Sequence, residues 1–162
     1  MYRRTGFLSA LLCVLSLWTV SPTHAQCTSN SNCQIILSGT ALPATPNPPC
    51  TPWGFWVWSQ PSNNNAYGND GDGSIYFYAI APTEAHVDVS NVTLSGNSVS
   101  ESASGTFPNG TTVSCTFSAH QTSPGKGILD SMDCTLVSKS GTTNSCTVGD
   151  IPITVNLSNG TK

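Results

Sequence analysis

Four turn dipeptides, set in series between short alternating segments, constrain this chain more than any other feature. Gly96-Asn97 separates Val92-Thr93-Leu94 from Val99, and Asn109-Gly110 separates Thr106-Phe107 from Val113. Pro124-Gly125 stands between Cys115-Thr116-Phe117 and Met132-Asp133-Cys134, and Ser140-Gly141 precedes Cys146-Thr147-Val148. Glycine and asparagine reach the left-handed backbone region at little cost, which is what a tight hairpin turn demands. Only antiparallel neighbours can be joined by connections this short. No helical periodicity longer than a turn competes in the chain beyond its first apolar run. The expected fold class is therefore all-β: an antiparallel β-meander of about seven to nine strands, closed as a β-sandwich or small barrel and stapled by disulfides.

The third hairpin carries an internal check. A turn centred on Pro124-Gly125 sets Val113 opposite Leu136, Cys115 opposite Cys134 and Phe117 opposite Met132, all on one face. One register thus matches apolar with apolar and sulfur with sulfur, as a half-buried strand pair requires. Cys115 and Cys134 are expected to be cross-strand neighbours and bonded, which needs a Cα separation below about 7 Å. Val87 and Val89 share one parity and Val92 and Leu94 the other, so a bulge is expected near Ser90-Asn91. Ile153-Val155-Leu157 alternates cleanly as a last strand before a polar tail at 159–162.

The first 25 residues read as a cleaved signal peptide: Arg3-Arg4, an apolar run from Phe7 to Val20, and Thr23-His24-Ala25 before Gln26. Processing there leaves 137 residues, with three lysines against eight acidic side chains, a net charge of −5. Residues 26–52 read as a proline-rich arm with a short strand at Ile35-Ile36-Leu37, and residues 53–158 as a single all-β domain. Charged residues are only 8% of the chain, against about 25% in an ordinary domain. Nucleic acid and anionic membranes are poor partners for such a surface, and no transmembrane segment follows the leader. The six cysteines beyond it, Cys27, Cys33, Cys50, Cys115, Cys134 and Cys146, read as three disulfides of a secreted protein, extracellular or periplasmic. Cys27 with Cys33 and Cys50 with Cys146 complete the set by elimination. No Cys-x-x-Cys supports zinc instead.

Three of the four tryptophans lie between Pro52 and Ile80, where two aromatic runs flank a polar, glycine-rich loop at Asn63 to Gly73. This stretch reads as an aromatic hairpin. Alternation sends Trp53, Phe55 and Val57 to one face, with Ile75 and Phe77 from the returning strand. Trp56, Trp58, Tyr76 and Tyr78 share the other face. That second face is either covered by another layer or exposed as an aromatic platform, which suits a glycan or an extracellular protein partner. Solvent exposure of these four rings discriminates the two readings.

Asn69, Asp70 and Asp72 place oxygen-bearing side chains before a glycine, in the manner of a calcium loop. The helical calcium hand's first ligand and closing glutamate have no counterpart at Gly68 and Ala79, so calcium remains a structural alternative and a hairpin loop the simpler reading. His86 and Asp88 share a strand face and give a second alternative, a small secreted hydrolase, although no Gly-x-Ser-x-Gly elbow accompanies them. Asn91, Asn109, Asn156 and Asn159 each begin a glycosylation sequon. The pattern implies an exported binding or surface-associated β module more readily than a catalyst.

Overall fold

The computed structural model describes residues 33–41, 53–60, 71–77 and 83–159. Among them are nine strands: β1 (Cys33–Ala41), β2 (Trp53–Ser59), β3 (Gly71–Phe77), β4 (Ala85–Ser95), β5 (Ser98–Thr106), β6 (Thr112–Ser123), β7 (Lys126–Val137), β8 (Thr143–Val148) and β9 (Ile151–Asn159). Each of the first seven pairs antiparallel with the next in sequence, β9 returns between β7 and β1, and the β6–β7 pairing completes a closed ring of eight. β8 extends from β7. Of the two closures that the meander allows, the small barrel is the one formed.

All four turns fall where the dipeptides put them. Gly96, Gly110, Gly125 and Gly141 have φ of 62°, 84°, 75° and 87°, a region closed to most side chains. The Asn109 carboxamide oxygen accepts the Thr111 amide proton at 2.9 Å, fixing the second turn. From Thr112 to Ser118 the register of the third hairpin is the expected one, with Val113↔Leu136, Cys115↔Cys134 and Phe117↔Met132, and from Ala119 to Gln121 it is shifted by one residue between two irregularities. Cys115 and Cys134 are bonded, their Cα atoms 4.0 Å apart. The bulge in β4 lies between Ser90 and Thr93, with Asn91 at φ 55°. It keeps Val87, Val89 and Leu94 all in the core.

An eight-stranded barrel is just wide enough for side chains to fill, and here they do. Phe55 of β2 and Phe117 of β6 stand on opposite walls, yet their ring centroids are 5.0 Å apart. Ile35, Leu37, Val57, Ile75, Phe77, Met132 and Leu136 fill the lumen around them. Exposed positions on β4 to β7 are polar, among them His86, Asp88, Ser104, Thr116 and Asp133. On these four strands the arrangement, apolar within and polar without, is the reverse of that in a barrel spanning a bilayer. Among the described residues no helix is long and apolar enough to cross a membrane.

Two elements run longer than their residue patterns suggest. The short strand around Ile35-Ile36-Leu37 extends over Cys33–Ala41 and is a full barrel stave, paired with β2 on one side and β9 on the other. β3 begins at Gly71, so Gly71 to Ser74 belong to the strand and not to a loop. The reason is space. A Cβ on Gly73 would run into the Trp56 carbonyl oxygen and Val57 of the neighbouring strand, so glycine here permits close backbone approach instead of marking a turn.

β8 and β9 follow one register along β7, from Val137↔Thr143 through Met132↔Val148 to Leu129↔Ile151 and Gly127↔Ile153. Residues 143–159 are thus one strand, interrupted at Gly149-Asp150, where Asp150 takes φ 54°. Its first half pairs with β7, and its second half crosses to β1.

Candidate ligand-binding face

The pairing of β2 with β3 runs through all seven residues of each strand, from Trp53↔Phe77 to Ser59↔Gly71. Phe55, Val57, Ile75 and Phe77 point inward and are buried, as their parity implies. Trp56, Trp58 and Tyr76 fall on the outer surface of the barrel. Trp56 is the exposed large hydrophobic residue there, at 47%, while Trp58 and Tyr76 are half-buried.

The registers place Trp56 in a row that includes Thr154 of β9, Ser38 of β1, Ser74 of β3 and His86 of β4. The next row carries Asn156, Ile36, Trp58, Asp72 and Asp88. In the row on the other side, Tyr76 is the partner of Gly54, and a Cβ on Gly54 would collide with the Tyr76 ring. The ring therefore lies over the glycine, an aromatic covering a bare backbone. Among the described residues no ring–ring contact joins Trp56, Trp58 and Tyr76. They present separate faces and form no stacked cluster.

Beside the tryptophans lies a small polar group. His86 Nε2 is 3.2 Å from Asp72 Oδ1, with both side chains well exposed. Asp72 and Asp88 are direct cross-strand partners, a like-charge arrangement, with His86 in contact with Asp72 from the diagonal position. The His86–Asp88 pairing considered for hydrolysis takes a different form here: the two share the outer face, but the contact of His86 is to Asp72. Asp72 is also the one calcium candidate within the described residues, and among those residues no group of three or more His, Cys, Asp or Glu side chains could hold a metal ion. Tyr78, Asn69 and Asp70 lie outside the described residues. Cys33 and Cys146 are buried and disulfide-bonded. Their expected partners Cys27 and Cys50 also lie outside the described residues.

An open cleft of about 370 Å³ is lined by Ser38, the cross-strand partner of Trp56, and by Gly39, Thr40, Phe55, Pro152, Ile153 and Thr154. It arises because the β1–β9 pairing ends at Ser38↔Thr154, while β9 pairs with β7 from Ile153 back to Ile151. The wall parts there.

Within the lumen sits one group that the spacing of carboxylates did not bring out. Glu101 of β5 is 3% exposed, and its Oε2 accepts a hydrogen bond from Ser59 Oγ at 2.6 Å. Its Oε1 has no partner among the described residues. Burial pushes the carboxyl up from its ordinary 4.5 to about 7, with the Ser59 hydrogen bond pulling the other way. The signal was present in the parity: Val99, Glu101 and Ala103 alternate on one side of β5.

No protein-family model, no curated protein and no solved structure matches this chain.

Proposed function

We propose that this protein is a secreted, disulfide-stabilised β-barrel that binds glycans on the outer face of β2 and β3, with Trp56 as the principal contact and Trp58 and Tyr76 beside it. The observation that carries the reading is the exposure of Trp56, 47%, in a row where its cross-strand neighbours Ser38, Ser74 and Thr154 are hydroxyl-bearing. A flat indole left in water costs solubility. It offers in exchange a platform for the apolar C–H face of a pyranose, while neighbouring hydroxyls and carboxylates bind the sugar's rim. Ser38 and Ser74 flank Trp56 in its row, and Asp72 faces Trp58. Secretion rests on the leader-like first 25 residues and on the disulfide.

The same surface would serve a protein partner as a hot spot, and one experiment separates the two. Intrinsic tryptophan fluorescence is titrated with a panel of glycans, for the native chain and for Trp56→Ala. A saturable shift that W56A abolishes supports the reading. If no glycan alters the native spectrum, the glycan reading is wrong.

A further inference from the structure

We infer that the cleft between β1 and β9 is a second sugar subsite continuous with Trp56, so that the site takes a neutral oligosaccharide running across the strands. This rests on the reading of Trp56 as a sugar platform. Three observations lead to it. The row Trp56, Ser38, Thr154 passes over two strand spacings, about 10 Å, and ends on the cleft. The cleft carries the hydroxyls of Ser38, Thr40 and Thr154 around an apolar floor of Phe55 and Ile153, which is the mixed lining that a sugar ring requires. Where the β1–β9 ladder ends, alternation turns the amide and carbonyl of one of the two residues Gly39 and Thr40 towards β9, where they have no ladder partner among the described residues and can face a ligand.

Gly39 shapes the floor. A Cβ there would lie 2.8 Å from Ile153 Cγ2 and 3.2 Å from the Phe55 ring, so the residue keeps the floor low between them. No charged side chain lines the cleft; Lys126, directly before Gly127, the β7 partner of Ile153, borders it on one side, and Asp72, the partner of Trp58, lies two strands away on the other. A neutral chain of hexoses suits this uncharged lining of hydroxyls and apolar side chains.

Calorimetric titration with glucose and with β-1,4-linked glucose oligomers of two, three and four units tests the proposal on the full chain. The native protein should bind the trimer at least about tenfold more tightly than glucose. The triple variant S38A/T40A/T154A, which alters half-exposed or exposed positions only, should lose that gain and keep the glucose affinity. Thr154→Tyr, which fills the cleft from its rim, should do the same. If affinity is independent of length, or if both variants keep the native length dependence, the subsite is overturned while the Trp56 platform stands. If the native chain binds none of these probes, the subsite is overturned, and the Trp56 platform falls with it only when no glycan of the fluorescence panel binds either.

Discussion

Ser59 Oγ and Glu101 Oε2, 2.6 Å apart, join β2 to β5 inside a lumen whose other described occupants are almost all apolar. With a buried carboxyl held near 7, the linkage has a definite sign. Its stabilising share is fully present below about 4.5, where folded and unfolded chains are both protonated. It is lost as pH rises through 7, because the unfolded chain gives up its proton first. The loss approaches about 3 kcal/mol above that range. Chemical denaturation from pH 4 to 8 should show this decline, and Glu101→Gln should flatten it. A native-like slope in E101Q would assign the decline to other groups.

Two glycines of the β2–β3 pair, Gly73 on its lumen side and Gly54 on its outer side, should respond unequally to a methyl group. On Gly73 the new carbon meets the Trp56 carbonyl, a backbone atom that cannot yield without breaking the ladder. On Gly54 it meets the Tyr76 ring, which can swing out into water. Gly73→Ala should cost about 2–3 kcal/mol and Gly54→Ala about 1. Urea midpoints check the order, and tyrosine emission should change only in G54A.

Removing the Cys115–Cys134 bond in C115A/C134A should lower stability by about 3 kcal/mol, the value for a closed loop of this size. The sequence separation is 19, and the two positions are already register partners. The variant should therefore keep its fold at low temperature. Far-ultraviolet dichroism at 10 °C and in a thermal melt separates loss of stability from loss of structure.

Trp56 and Phe117 are both aromatic strand residues, but one faces water and the other the lumen. Trp56→Ala should change stability by less than about 1 kcal/mol, whereas Phe117→Ala should cost about 3–5. The comparison matters for the binding assay, because a W56A protein that melts normally ties any loss of glycan affinity to the face itself.

Much of this architecture could be read from the residues because turn chemistry and strand parity are local. Gly96, Gly110, Gly125 and Gly141 each declare a hairpin, and the match of Val113, Cys115 and Phe117 with their partners fixes a register without any long-range information. The barrel closure was not legible, since nothing in Ile151 to Leu157 says that the strand leaves β7 for β1. Parity placed Trp56 on the second face of its hairpin, but residue type does not say whether another layer covers that face. Glu101 was legible in principle, as the inward member between Val99 and Ala103. Its significance depends on Ser59, 42 residues away and brought near only by the curl of the sheet.

That closure has a mechanical meaning. Between β7 and β9 the ring is joined by Gly127↔Ile153, Ile128↔Pro152 and Leu129↔Ile151, three pairs, one of which contains a proline with no amide proton to give. Every other joint of the ring is longer. A hoop under strain parts at its shortest weld, so this one should be the first to open in native-state fluctuations. Hydrogen exchange at Gly127 to Leu129 should then outpace exchange along the β5–β6 ladder. The molecule behaves as a coiled sheet held by a clasp, and residues 143–159, gripping β7 at one end and β1 at the other, are the pin.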